Sequence, residues 1–183
     1  MSSTVFYSWQ SDHPNATNRG FIAKVLRKAL RSVESNSTIN WSPRFDQATL
    51  GTPGSPDIRK TIDEKIDKCD AFVADISIVC KDTSSGRCYT NPNVTREVGY
   101  ALKSVGEHRV ILVLNLAFGN QRDLPFDLIT RNSIGYTLSK DADSVVRQEE
   151  AKILHGEHYP GPGKFGVDTS HFVLRRETHA YKK

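Results

Sequence analysis

Short apolar runs alternate along this chain with longer stretches whose apolar positions return every three or four residues. Thr4–Trp9, rich in β-formers, predicts a first strand. Thr17–Val33 predicts a helix, with Phe21, Ile22, Val25, Leu26, Ala29 and Leu30 along one side. Ile39–Phe45 predicts a second strand, which Pro43 confines to a sheet edge or an irregular course. Asp46–Ser55 is a Gly/Pro loop. Ser55-Pro56-Asp57 then supplies a cap, a first-position proline and a first-turn acid for a helix carrying Ile58, Ile62 and Ile66. Ala71–Ile76 forms the core of a buried strand, with Asp75 and Ser77 at its end. After a polar loop, Asn91 caps a helix over Asn91–Leu102, with Pro92 in the first turn and Val94, Val98, Ala101, Leu102 and Val105 on one face. Arg109–Asn115 is a continuous apolar run typical of a central parallel strand, and Ile134–Leu138 is a short last strand.

Strands alternating with helices predict an α/β fold, a doubly wound parallel sheet of five strands within residues 1–140. Residues 141–183 read as an irregular C-terminal extension of unknown role, with glycines and prolines concentrated in HGEHYPGPGKFG. At 183 residues the chain fits one domain with an appendage. The formal charge of +4 is spread out. Its densest cluster, Lys24, Arg27, Lys28 and Arg31, reads as the solvated side of the first helix, so no nucleic-acid partner is expected. No apolar stretch approaches membrane-spanning length, so no membrane partner is expected. The N-terminus runs directly into a strand without a secretory signal, and a cytoplasmic location is the default. Three cysteines without a CxxC pair read as reduced thiols. His155 and His158 read either as metal ligands or as scattered residues of a loose tail; their spacing fixes no metal site, and none is assigned.

Candidate chemistry centres on Glu97. At about 100° per residue it borders the apolar stripe of its helix, with Asn93 and Tyr100 beside it. There it can overhang the carboxyl-end crevice where open α/β sheets bind ligands. Three segments meet at that edge: Tyr7–Asp12, Asp46–Ser55 and Asp75–Asn91. A carboxylate there suits glycosidic chemistry at a ribose, because bond cleavage leaves an oxocarbenium-like centre that it can stabilise or attack. Trp9, Phe45 or Tyr7 can stack on a base; Ser8, Ser11 and the Gly51–Gly54 amides can meet phosphates. No GxGxxG or P-loop sequence is present. Other readings remain at this point. Glu97 can be an ordinary helix acid, Asp75 a loop cap, Trp9 a core aromatic, Tyr100 a packing residue, Asp46 a turn residue and GTPG merely a turn.

The motifs VFYSWQSD, FDQATLGTPGSPDI, KIDKCDAFVADIS, NPNVTREVGYAL and LVLNLAFG…LPFDL, in this order over residues 4–138, resemble the bacterial TIR-like domain family. The resemblance implies a flavodoxin-like fold of strand order 2-1-3-4-5 and Glu97 as the glutamate of NAD-cleaving TIR enzymes. It makes TLGTPGS, with Thr52 and Gly54, the mobile loop after strand two. NAD is then a substrate, not a resident cofactor. The implied products are nicotinamide with ADP-ribose or a cyclic or conjugated signal, in anti-phage defence of the Thoeris type. Self-association and a downstream effector that senses the product are expected partners. The helix also resembles that of nucleoside 2-deoxyribosyltransferases. One departure is Arg96-Glu97-Val98-Gly99, where the family usually carries Leu or Ile before Glu-Leu-Gly. Beyond Asp143 no resemblance extends. The expected substrate contacts are Tyr7, Ser8, Trp9, Asp46, Thr52, Gly54, Asp75, Ser77, Asn93 and Tyr100. The competing functions are a non-catalytic nucleotide-sensing or self-association module and a nucleobase-exchange enzyme.

Overall fold

Strand β3 (Ala71–Asp75) is buried along its whole length, as an apolar run must be when both faces of a sheet are covered. In the computed structural model, which describes residues 2–36, 42–47 and 57–155 (backbone alone for 2–3, 33–36 and 42–47), it is the central strand. It lies between β1 (Ser2–Ser8) and β6 (Val110–Asn115), with β2 (Ser42–Gln47) and β7 (Ile134–Tyr136) at the edges. Every neighbouring pair in this sheet is parallel. The edge position of β2 accommodates Pro43, which has no N–H to give a second neighbour.

Alternation along the strands feeds two cores. Val5, Tyr7, Val73 and Val113 pack against α1 (Arg19–Asn36) and α5 (Ser144–His155). Phe6, Phe72, Ala74, Leu112 and Leu114 pack against α2 (Ile58–Lys68), α3 (Pro92–Ser104) and the short α4 (Phe126–Ile129). The sheet is therefore covered on both faces, the doubly wound arrangement expected. Lys24, Arg27, Lys28 and Arg31 are exposed on α1, as a solvated face requires. No helix among the described residues is long and apolar enough to cross a membrane.

Helix starts follow their caps. Asn91 Oδ1 accepts from the backbone N–H groups of Asn93 and Val94, and Pro92 opens α3. The cap of α2 is Asp57, whose Oδ1 accepts from the Lys60 N–H, and not Ser55. An aspartate can itself supply the capping oxygen, so the helix begins later than the Ser-Pro-Asp signature indicates. The expected loop residues Thr52 and Gly54, and His158 with the rest of the tail beyond His155, lie outside the described residues.

Two elements differ from expectation. The stretch read as a polar loop contains an antiparallel hairpin of β4 (Ile78–Lys81) and β5 (Cys88–Thr90). Its strands are too short and too exposed to show a period. Cys80 pairs with Tyr89 and Cys88 with Lys81, which sets the two thiols on opposite faces of the ribbon. The second correction concerns the tail expected to be irregular: residues 144–155 form α5, which packs on α1 and β7. Asp143 Oδ1 accepts from the N–H groups of Val145 and Val146, and Arg147 reaches the carbonyls of Ala16, Lys140 and Ala142. Leu154 is fully enclosed in the α1-side core.

Replacing Leu154 with Ala is expected to cost about 2–4 kcal/mol in denaturant unfolding. The same change at Val145, which is 66% exposed, should cost no more than about 0.5 kcal/mol. Equal, small effects would place α5 outside the core.

Candidate active site

Strand parity decides what can meet at the carboxyl edge. Ser8 is the register partner of Ala74, so its side chain shares the α2–α3 face with Phe6 and Phe72. Tyr7 and Asp75, each one residue out of step, point to the α1 face. The α3 helix brings Glu97 onto the Ser8 side. Ser8 Oγ donates to Glu97 Oε2 at 2.6 Å, and Glu97 is only 7% exposed. Among the described residues, Oε1 of Glu97 accepts no hydrogen bond. Burial pushes the Glu97 carboxyl above its ordinary value of 4.5; the Ser8 hydrogen bond and the nearby Arg96 pull it back, while Asp63 adds to the rise. Arg96 itself is engaged by Asp63 through two hydrogen bonds, of 2.7 and 3.2 Å, across the α2–α3 seam. Farther along that seam the Tyr100 hydroxyl donates to Asp67 Oδ2 at 3.0 Å.

The α1 face carries a different polar cluster. Asp75 is completely buried, and its two oxygens receive four hydrogen bonds: Ser77 N and Oγ on Oδ1, Gln10 Nε2 and Asn18 Nδ2 on Oδ2. Ser77 Oγ also accepts from Asn18 Nδ2 and from the Asn115 N–H. Asn115 donates to Asn18 Oδ1 and the Leu138 carbonyl, and accepts from the N–H groups of Ala117 and Leu138. The Tyr136 hydroxyl donates to the Thr17 carbonyl. Burial pushes the Asp75 carboxyl up, opposed by its donors, with Ser77 foremost.

Of the expected site residues, the structure thus joins Ser8 to Glu97. Asn93 is exposed on the first turn of α3, one turn before Glu97. Tyr100 faces α2. Asp75 and Ser77 are spent on each other and on protein amides, so they brace the edge instead of offering groups to a ligand. Tyr7 is a correction: strand alternation buries it entirely in the α1-side core, where it has no surface to present. Trp9 packs beside the same core, with the Arg19 guanidinium 3.5 Å over its ring, the core-aromatic reading. Asp46 aligns with Phe6 in β2, and its side chain lies outside the described residues, as do Thr52 and Gly54. Residues not anticipated are Gln10, Asn18 and Asn115. Only Asn115 had a signal, as the polar terminus of the apolar run that forms β6. Among the described residues no group of three or more His, Cys, Asp or Glu side chains is arranged to hold a metal ion.

The loops above the edge are knit together. His13 Nε2 lies 2.8 Å from the Ile78 carbonyl, and its ring stacks on Phe118 at 3.7 Å. Gly119, at φ 145°, lets the loop after β6 settle on Ile78; a Cβ there would lie 2.6 Å from Ile78 Cδ1.

No family model and no curated protein sequence matches the chain. Among solved structures it is similar to a 2-desoxiribosyltransferase from Leishmania mexicana, at 20% identity over 62% of this chain and 65% of that one, with a TM-score of 0.35. It is also similar to a prokaryotic SEFIR domain, at 12% identity over 82% of this chain and 97% of that one, with a TM-score of 0.39. At these TM-scores neither likeness assigns a residue role or an activity.

The raised Glu97 carboxyl has a consequence for stability. Between the ordinary glutamate value and the raised one, the folded chain holds a proton that the unfolded chain has lost, so stability falls as pH rises through that window. Glu97→Gln cannot ionise and keeps an oxygen for Ser8. Its melting temperature should match the parent's below the window and exceed it at pH 7; a lower value at pH 7 would contradict the burial cost.

Proposed function

We propose that this chain is a TIR-like enzyme that cleaves the nicotinamide–ribose N-glycosidic bond of NAD, with Glu97 as its catalytic carboxylate. The observation that carries this reading is the Ser8–Glu97 contact: a buried acid at the carboxyl edge of a parallel sheet, held through one oxygen by a hydroxyl donor. Ligands of open α/β sheets bind outside that edge. The order of the five motifs favours NAD as the substrate.

As the glycosidic bond breaks, its electron pair leaves with the nicotinamide nitrogen, which becomes neutral. Positive charge develops on the anomeric carbon and ring oxygen. The Glu97 carboxylate opposes that charge in a site with little water, where a fixed charge acts more strongly. Water then adds to the anomeric carbon and gives up a proton, producing ADP-ribose; capture by the adenine of the same molecule gives a cyclic product. Ser8 keeps the carboxylate aimed, and in this reading exposed Asn93 meets the substrate at the mouth of the site. Asp46, Thr52 and Gly54 cover the substrate in this reading, and self-association and a product-sensing effector in anti-phage signalling belong to it too. The carboxylate must be ionised, so the rate should fall on the acid side through a value above that of free glutamate.

The test is incubation of concentrated protein with NAD, followed by chromatography and mass spectrometry of the products. The parent should release nicotinamide, and Glu97→Gln should lose about 100-fold or more of the rate. Undiminished release by Glu97→Gln would overturn the mechanism. NAD binding without turnover by the parent would make the chain a sensing module, and faster turnover of deoxynucleosides than of NAD would make it a nucleobase-exchange enzyme.

A further inference from the structure

We propose that Asp12, on the turn folded around buried Gln10, and Asn91, the cap of α3, are positioning residues that set the Ser8–Glu97 contact, an inference that rests on the role assigned to Glu97 above. Gln10 follows Ser8 by two positions and is almost completely buried. Its Oε1 accepts from the N–H groups of Asp12 (2.6 Å) and His13 (3.0 Å), while its Nε2 donates to Asp75 at 3.1 Å. The chain leaving β1 is therefore folded around one amide side chain that is itself anchored on a buried carboxylate. That turn presents Asp12, whose Oδ2 accepts from Asn91 Nδ2 at 2.8 Å. Asn91 is the cap of α3, and its Oδ1 is taken by the helix's first free N–H groups.

Both amides are fixed in orientation by their surroundings. Reversing either would set an oxygen against a carboxylate and an amino group against backbone N–H. Asn91 precedes Glu97 by less than two helical turns, so the seating of this cap governs where the Glu97 carboxyl stands relative to Ser8. The path crosses from Asp75 on the α1 face to Glu97 on the α2–α3 face. It also makes the end of β1 and the start of α3, which carry the two halves of the contact, move as one. Val94, Val98 and Ala101 hold α3 in the α2–α3 core. Losing the Asp12–Asn91 bond should misplace the carboxylate without unfolding the helix.

Two variants break the path at its exposed end. Asn91→Ser keeps a capping oxygen but is too short to reach Asp12; Asp12→Ala removes the acceptor. Arg96 and Asp63, the charged groups bearing on Glu97, are unchanged in both. The first readout, independent of any activity, is the titration of the Glu97 carboxyl carbon by NMR, with Ser8→Ala as reference. Loss of a hydrogen bond to the charged form raises the midpoint, so Ser8→Ala should raise it, and Asp12→Ala and Asn91→Ser should raise it by less. The doubly substituted protein should go no further than the singles. Loss of the Asp12 charge alone would lower the midpoint, so an upward shift reports the loosened contact. The second readout is nicotinamide release, with kcat expected to fall about tenfold at unchanged KM. Midpoints equal to or below the parent's in Asp12→Ala and Asn91→Ser, or an unmoved midpoint in Ser8→Ala, would overturn the proposal. Raised midpoints with no nicotinamide release by any form would support the positioning path and overturn only the NAD-cleaving reading.

Discussion

A carboxylate with no exposure holds the carboxyl edge of the sheet together. Asp75 ends the central strand, and every lone-pair direction of its two oxygens is filled: Gln10 from the loop after β1, Asn18 from the start of α1, and Ser77 twice from its own turn. Ser77 and Asn115 carry the network on to β6 and to Leu138 beyond β7. Withdrawing any one of these donors would leave a buried acceptor short of a partner, which costs far more than an exposed hydrogen bond is worth. The strand ends are thereby kept at fixed spacing, and loops of irregular backbone can be built on them without losing their place.

The two buried acids of the edge differ in how they are satisfied, and that difference separates a saturated acid from one that can carry the proposed chemistry. Asp75 has four donors and nothing left to offer. Among the described residues Glu97 has one, Ser8, and retains the capacity to meet positive charge that arises nearby. An acid intended only for structure would be expected to look like Asp75, because an under-satisfied buried carboxylate is a standing cost. Strain or under-satisfaction of this kind persists where the surrounding structure over-determines it. Here that surrounding is the α2–α3 core on one side and the Asp75 network on the other.

Much of the fold was legible because it rests on local signals. The continuous run of β6, the apolar run of β3 up to Asp75, the Asn91-Pro92 start of α3 and the edge position imposed by Pro43 all follow from periodicity, capping and the missing N–H of proline. The β4–β5 hairpin was not legible, because three- and four-residue strands carry no period. Nor was α5, whose stability comes from Leu154 reaching the α1-side core and Arg147 tying down distant carbonyls. In the candidate site, Glu97 was legible as a carboxylate on the border of an apolar stripe, and Ser8 as a hydroxyl at the end of its strand; their direct contact was not. The division of the edge into two faces was not. It depends on Ser8 standing opposite Ala74, and that register is set by pairing between distant segments. Without it, Tyr7, Asp75 and Ser77 read as neighbours of an expected ligand. Gln10 and Asn18 look in sequence like any loop amide; only burial reveals them.

The most direct measurement of the central claim is a crystal structure of Glu97→Gln with NAD bound. The nicotinamide ribose should lie on the α2–α3 side of the carboxyl edge, with its anomeric carbon against residue 97 and Ser8 still bonded to that side chain. A dinucleotide seated on the α1 face, or anywhere that leaves its anomeric carbon out of reach of residue 97, would contradict the assignment of Glu97 as the group that meets the reacting ribose.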